Sequence, residues 1–246
     1  MTFSCDVVAP LPRNTLLRAL PAQSLALLLP RLSLVALELG QVLHPVHLPV
    51  TTIYFPETGL VSMVGVLADG EMVEVGLIGY EGMVGLPVLL GAEFDDQEAM
   101  VQAAGTALCL SAASFRKALA ADPILKAVLM RFVLGFLGQV ARTAVCNGRH
   151  QVPQRLARWL LMAQDRLGSP CFRMTHELLA MMLGVRRAGV SVAAAALQAA
   201  GIVRYERGTM TVLDRPRLEQ ASCECYRVVR DAYDRMHDEH LPDAAD

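Results

Sequence analysis

The chain has 246 residues, 54 % of them apolar and 19 % charged, with a net charge of −2. That is too apolar and too weakly charged for a disordered chain, and at about 150 residues per domain it has room for one large or two modest domains. No purely apolar run of about 18 residues occurs; the longest candidates, 82–92 and 192–203, are too short. Residues 1–12 carry an acid and two prolines rather than a basic start leading into an apolar run, so neither a membrane partner nor a secretory signal is expected, and a cytoplasmic location is. Six dispersed cysteines (Cys5, Cys109, Cys146, Cys171, Cys223, Cys225) do not form the dense framework of a small secreted domain and are expected to be reduced thiols.

In chain order, a leucine-rich opening over 16–29 reads as one or two helical turns. Short β-like runs follow at 34–39, 41–44, 51–55, 60–67, 72–77, 99–103 and 107–110, broken by Gly40, Pro45, Pro49, Pro56-Glu57-Thr58-Gly59, Ala68-Asp69-Gly70 and Gly105. Such close, regular spacing predicts a sandwich, jelly roll or barrel. At Asp122-Pro123, a cap followed by a proline suited to the first helical position, the period becomes helical. Leu129, Val133, Phe136, Val140, Thr143 and Asn147 recur at gaps of four and three, with Phe132 and Leu137 beside them. This stripe exceeds what a lone connecting helix shows to water and is read as a dimer seam (Leu129, Val133, Phe136, Val140, Thr143); burial against the chain's own β domain is the alternative, and both can hold on opposite faces.

A second amphipathic helix over 153–167 stops at Gly168-Ser169-Pro170. A helix from Thr175 to Leu183, a turn at Gly184 and a helix from about Arg186 to Ala200 come next, then two strands, 202–205 and 209–213, about Glu206-Arg207-Gly208. A polar helix over 219–237 closes the pattern. The divisions expected are a β domain at 14–121, the long helix at 122–150, a helical unit with a β-hairpin at 151–217 and a C-terminal helix with an acidic tail at 218–246.

The small net charge hides a strong asymmetry. Residues 1–148 hold 8 basic and 12 acidic groups, 149–217 hold 11 and 4, and 218–246 hold 3 and 8. A block of +7 inside a near-neutral protein is the footprint of a surface that meets a polyanion. Within it, Thr175–Val192 has the form of a helix-turn-helix: Leu178, Leu179, Leu183, Val185 and Val190 pack the two helices, and Arg186, Arg187 and Ser191 stand at the exposed start of the second. An arginine fork there can bond two acceptors on a guanine edge, while Thr175 and the wing residues Arg204 and Arg207 reach phosphates.

From about Leu16 to Leu213 the chain resembles the Crp/Fnr family of bacterial transcription regulators, most specifically at Ile53–Ser62, Gly79–Gly85, Thr143–Asn147 and Thr175–Leu213. The resemblance implies an α+β chain with an N-terminal β-roll or jelly roll of the cyclic-nucleotide-binding type, a long dimerisation helix and a C-terminal winged helix-turn-helix. It implies a homodimer on a palindromic site in double-stranded DNA, with RNA polymerase as a further partner, and it places Arg187 at the family's base-contacting arginine. Ala188 and Val192 depart from the cyclic-AMP-responsive pattern, so operator preference is expected to differ.

The effector-pocket candidates are Gly85, Leu86, Gln97 and Glu98. Leu86 and Gln97 stand where cyclic-AMP binders carry a ribose-binding glutamate and a phosphate-binding arginine. A buried cyclic phosphate would be left unpaired there, so cyclic AMP is not expected. Nor is the iron–sulfur cluster of the oxygen-sensing members, since Cys5 alone lies in the N-terminal region that holds it. No cofactor and no metal are expected; haem, the effector, the operator and the choice between activation and repression stay open. The rival reading is a cyclic-nucleotide or small-ligand sensor acting through protein partners, against which the basic block argues.

Other patterns lead nowhere chemical. His176-Glu177-Leu178-Leu179-Ala180 begins like a zinc-protease motif but has alanine where the second histidine is required, and Gly79, Gly82 and Gly85 lack the following Gly-Lys-Ser/Thr of a phosphate loop. Cys223 and Cys225, two apart on a helix, project in different directions, so joint ligation with His237 is not expected. His44 and His47 read as packed or surface histidines. Nothing pairs a nucleophile with a base, and the short acidic tail after the winged segment leaves no room for a catalytic domain, so the chain is not expected to be an enzyme.

Overall fold

The computed structural model describes residues 11–238; Cys5 and the end of the acidic tail lie outside them. Two short helices open the chain, α1 (Thr15–Arg18) and α2 (Ala22–Leu28). The strands β1 (Ser33–Leu37), β2 (Val42–His44), β3 (Thr52–Pro56), β4 (Leu60–Val66) and β5 (Met72–Ile78) follow. After the single turn α3 (Leu86–Leu89) come β6 (Gln97–Ala103) and β7 (Gly105–Ser111). They form two antiparallel sheets, β1-β7-β3 and β2-β6-β4-β5, with Phe55 opposite Leu108 in the first and Met63 opposite Ala99 in the second. Alternation along these strands sends Ile53, Phe55, Leu60 and Leu77 into a common apolar core.

A helix that the apolar pattern does not mark, α4 (Ala112–Ala121), follows β7 directly, with the Ser111 hydroxyl accepting from the Ser114 amide at its start. The long helix α5 (Pro123–Arg149) begins as its sequence predicts: the Asp122 carboxylate accepts from the Ile124 and Leu125 amides, and Pro123 occupies the first position. By length and mean hydropathy, 1.7 over its most apolar stretch, α5 could cross a membrane. In the fold, however, one face of it is protein core. Phe136 and Phe132 lie so close to the β domain that a Cβ on Gly76 or Gly82 would stand 2.7 or 2.4 Å from their rings. The glycines around 79–85 thus include one that close packing requires.

This packing corrects the expected seam. Leu129, Val133 and Phe136 are 0, 5 and 5 % exposed within the single chain, and the half-buried Thr143 hydroxyl is held by the Gln139 carbonyl and the Arg158 guanidinium. Val140 is likewise half-buried against the same core. The stripe is real, but its partner is the chain's own β domain and C-terminal helix. The apolar face left open is a different one, with Leu134 73 % and Leu137 58 % exposed and Ile124 and Val145 along the same helix.

Helix α6 (Val152–Leu167) carries the chain into the winged unit and is closed by Gly168 in the left-handed region. A short strand, β8 (Cys171–Arg173), precedes α7 (His176–Leu183), α8 (Arg187–Ala199), β9 (Val203–Glu206) and β10 (Thr209–Val212), giving a three-stranded sheet β8-β10-β9 where two strands are predicted. The predicted single closing helix is instead two, α9 (Arg215–Ala221) and α10 (Cys225–Asp238), because the chain leaves helical geometry at Ser222. Tyr226, Val229 and Tyr233 of α10 are buried, and the Tyr233 ring lies 6.4 Å from that of Phe132.

Two buried polar clusters join the winged unit to the β domain. The Arg166 Nε of α6 donates to Glu81 Oε1 (2.7 Å), its Nη2 to Gln139 Oε1 on α5 (3.2 Å) and its Nη1 to the Met162 carbonyl (3.2 Å), while its guanidinium sits 5.6 Å from the Tyr233 ring centre. Glu74 of β5 accepts from the Trp159 indole N–H of α6 (2.9 Å) and shares a 2.5 Å hydrogen bond with the Ser62 hydroxyl. Burial pushes the Glu74 carboxyl up from 4.5 to about 7, against the opposing pull of Ser62, Trp159, Arg158 and Arg166.

Replacing Arg166 with alanine leaves the Glu81 carboxylate buried without its partner and is expected to cost about 3–5 kcal/mol, read from urea unfolding; a loss below about 1 kcal/mol, the size of an exposed pair, would contradict the role. Folded Glu74 holds a proton that the unfolded chain releases between about 4.5 and about 7, so its contribution is full below the lower value and lost as pH rises through the upper. Urea midpoints should therefore fall from about pH 5 to about pH 8, and Glu74→Gln should flatten that slope.

Candidate nucleic-acid interface

The helix-turn-helix is built from ordinary local chemistry. The Thr175 hydroxyl accepts from the Leu178 amide and caps α7, Gly184 takes a φ of 57° in the turn, and α8 leaves at 108° to α7. That angle and a three-residue turn suit a helix pair that presents its second member. A Cβ on Gly184 would stand 3.1 Å from Val73, so the turn also seats the motif on β5. From within the motif, the Leu183 carbonyl at the end of α7 accepts from Arg155 of α6.

Of the expected site residues, Arg186 caps α8 and Arg187 opens it, both exposed. Arg187 Nε pairs with Glu177 Oε1 at 2.8 Å, the two side chains being 66 and 61 % exposed. An exposed pair of this kind contributes about 0–1 kcal/mol, so Glu177 can orient the arginine and still release it. The Ser191 hydroxyl bonds His176 Nδ1 at 3.0 Å, and the His176 ring stacks on Tyr205 of β9 with centroids 4.2 Å apart. The two helices and the β9–β10 hairpin are thereby joined through one imidazole. Its pKa is lowered, chiefly by burial and then by the Arg187 charge. In sequence His176 stands out only as part of a protease-like coincidence, and its contact with Tyr205 joins segments far apart in the chain.

The wing is a two-residue hairpin in which both central residues, Arg207 and Gly208, have positive φ (49° and 77°). Type I′ geometry requires this, and it costs a residue with a Cβ about 1–2 kcal/mol. An arginine held in a strained position at an exposed tip points to use rather than to stability. Arg204 is exposed beside it and only loosely associated with Glu206, at 3.9 Å.

The charge count needs correcting by burial. Arg155, Arg158 and Arg166 are 8, 7 and 7 % exposed and serve internal bonds, and Arg215 is held by Asp165 (2.6 Å) and Glu219 (3.0 Å). Four of the eleven basic groups in 149–217 are therefore structural, and the seven that remain exposed are Arg149, Arg173, Arg186, Arg187, Arg204, Arg207 and Arg217.

The four effector-pocket candidates fall on two elements. Gly85 precedes α3, which Leu86 opens while packing on the apolar core; Gln97 and Glu98 begin β6, opposite Gly65 and Val64 of β4. These positions offer an apolar group, a neutral amide and a carboxylate. Nearby His44 is buried, its Nε2 on the Thr52 carbonyl at 2.7 Å and its pKa lowered by burial, while His47 is exposed.

Residues 154–221 match the Crp-like helix-turn-helix domain. The fold is similar to that of FixK2 from Bradyrhizobium japonicum (TM-score 0.68, 19 % identity, 78 % of this chain and 98 % of that one). It is also similar to a Crp/Fnr-family transcriptional regulator, TTHA1359, from Thermus thermophilus (0.64, 21 %, 77 and 98 %) and to the c-di-GMP-responsive regulator CLP of Xanthomonas campestris (0.65, 17 %, 78 and 99 %). No curated protein sequence matches the chain. The chain thus carries a Crp-like helix-turn-helix on the α+β fold of the Crp/Fnr transcription regulators.

Arg187→Ala is expected to cost about 1–3 kcal/mol on a selected duplex and to relax preference at one base pair per half-site. Arg207→Gly should weaken every duplex alike and flatten the salt slope by about one unit, while raising stability by about 1 kcal/mol through the relieved backbone. Anisotropy titrations over a salt series and urea unfolding check both; equal losses on all sequences for Arg187→Ala would exclude base contact.

Proposed function

We propose that this chain is a sequence-specific DNA-binding transcription regulator that acts as a homodimer in the cytoplasm. The observation that carries the reading is the presentation of Arg186, Arg187 and Ser191 at the open start of α8, set at 108° to α7 and flanked by the strained Arg207 of the wing. Arg187 reads a base edge, Thr175, Arg204 and Arg207 hold phosphates, and two-fold symmetry calls for half-sites about 34–36 Å apart. RNA polymerase is the further partner of such a regulator.

Pairing runs along the open face of α5, through Leu134, Leu137 and Val145, where the small residues Gly138 and Ala141 let a second helix approach. Leu86 and Gln97 give a cyclic phosphate no counter-charge, so binding does not depend on cyclic AMP. The chain acts by binding rather than by catalysis.

Duplexes selected from a randomised pool and titrated with and without cyclic AMP test the function: tight, selective binding without nucleotide supports it, binding only with cyclic AMP overturns the effector reading, and no selectivity in either condition favours a sensor acting through proteins. Leu134→Glu with Leu137→Glu should give a folded monomer by sedimentation and weaken operator binding at least about tenfold, whereas Leu129→Ala, in the core, should cost about 2–5 kcal/mol of stability and leave the dimer intact.

A further inference from the structure

At the C-terminal end of α5 four potential metal ligands converge from distant parts of the chain. Cys146 lies in the last turns of α5, His150 caps it, and Cys223 and Cys225 come from the break between α9 and α10. Their ligand atoms all lie within 4.8 Å of one another. Cys146 Sγ is 3.5 Å from Cys223 Sγ, and Cys225 Sγ is 3.6 Å from His150 Nδ1. The three cysteines are buried in a cluster of their own, apart from the main apolar core. The expectation of diverging side chains fails because Cys223 does not share a helix with Cys225: it precedes α10, which Cys225 opens.

We propose that Cys146, His150, Cys223 and Cys225 form a closed, structural Cys3His site for a thiophilic divalent cation of the zinc class. With metal–sulfur bonds of about 2.3 Å and metal–nitrogen bonds of about 2.0–2.1 Å, tetrahedral donors stand about 3.5–3.8 Å apart. The Cys146–Cys223 and Cys225–His150 separations match this spacing, and modest rotamer adjustment brings the rest to it. All four positions are filled by protein, which marks a structural rather than a catalytic centre. An iron–sulfur cluster would set several irons between its thiolates and requires donors farther apart than these.

Two features around the ligands fit the same ion. His150 Nε2 faces the Glu224 carboxylate at 3.3 Å, so the ring proton is held on that side and the Nδ1 lone pair points at the thiols. A carboxylate behind a ligating histidine is the usual support of such a site. Three thiolates and one divalent ion also leave a net charge of about −1. Arg155 and Arg158, buried on α6 with unpartnered Nε atoms, are close enough to Cys146 to balance it. Coordination replaces three S–H bonds with three metal–sulfur bonds and releases the protons to solvent. The ion then fastens the start of α10 to the end of α5.

Reduced full-length chain is loaded with Co2+ or Zn2+, dialysed, and read by elemental analysis and visible absorption. One equivalent of cobalt per chain, with the ligand-field bands of a tetrahedral thiolate site that Zn2+ displaces, is expected. Cys146→Ser, Cys223→Ser and Cys225→Ser should each abolish that spectrum, while Cys109→Ser and Cys171→Ser keep it. Glu224→Gln should retain one equivalent but weaken affinity by about 10- to 100-fold. The proposal is overturned by clearly substoichiometric binding to the unsubstituted chain, by an unchanged spectrum in the three cysteine variants, by an iron–sulfur chromophore, or by a Cys146–Cys223 disulfide in protein alkylated at lysis. The cobalt spectrum of the unsubstituted chain decides the matter even where a variant fails to fold.

Discussion

Arg166 is the group around which the domains are arranged. A guanidinium taken out of water must have its donors met, and here they are met by three different parts of the chain: Glu81 of the β domain, Gln139 of α5 and the carbonyl of Met162 in its own helix. Gln139 in turn donates to the Leu77 carbonyl of β5 (2.9 Å) and reaches the Tyr233 hydroxyl of α10 (3.5 Å). One charged side chain thus fixes the positions of sheet, long helix, winged unit and C-terminal helix together. Because a half-satisfied buried network is worse than none, any rearrangement of these parts must exchange the partners of Arg166 as a set. Glu74 with Trp159 and Ser62 is a second, smaller tie across the same boundary.

The long helix has to satisfy two neighbours at once. Its inner face is shaped to the β domain, with phenylalanines laid over Gly76 and Gly82, while its outer face keeps Leu134 and Leu137 in water in the single chain. Helices with apolar residues on opposite faces are buried on both. The inner face belongs to the folded monomer, and the outer face is what the proposed dimer uses; the cysteine and histidine cluster at the far end adds a third attachment, to α10.

Much of this was legible in the sequence, for reasons that differ by element. The seven β-domain strands alternate between turns of glycine, proline and aspartate, so period and punctuation agree. Gly184 and the apolar spacing about it mark the helix-turn-helix for the same reason. β8 has three residues, too few to show a period, and the break at Ser222 carries neither glycine nor proline. The stripe Leu129, Val133, Phe136 was visible as a stripe, yet periodicity says that a face is covered and not by what. Charge counting failed in a similar way, since Arg155, Arg158 and Arg166 look like surface residues until their bonds are seen. Of the candidate site, Arg186, Arg187 and Arg207 were readable from position; His176 and Tyr205, which hold Ser191, depend on a contact between segments 29 residues apart and left no local mark.

The withdrawal of these arginines into the interior has a kinetic consequence. Non-specific attachment to DNA is set by the number of phosphates a protein neutralises. In the proposed regulator, whose Arg187 is half-engaged by Glu177, fewer exposed arginines mean weaker hold on random duplex and faster release. Such a protein would search a genome more by repeated release and recapture than by long one-dimensional sliding, and would reserve its residence time for sequences that draw Arg187 away from its carboxylate.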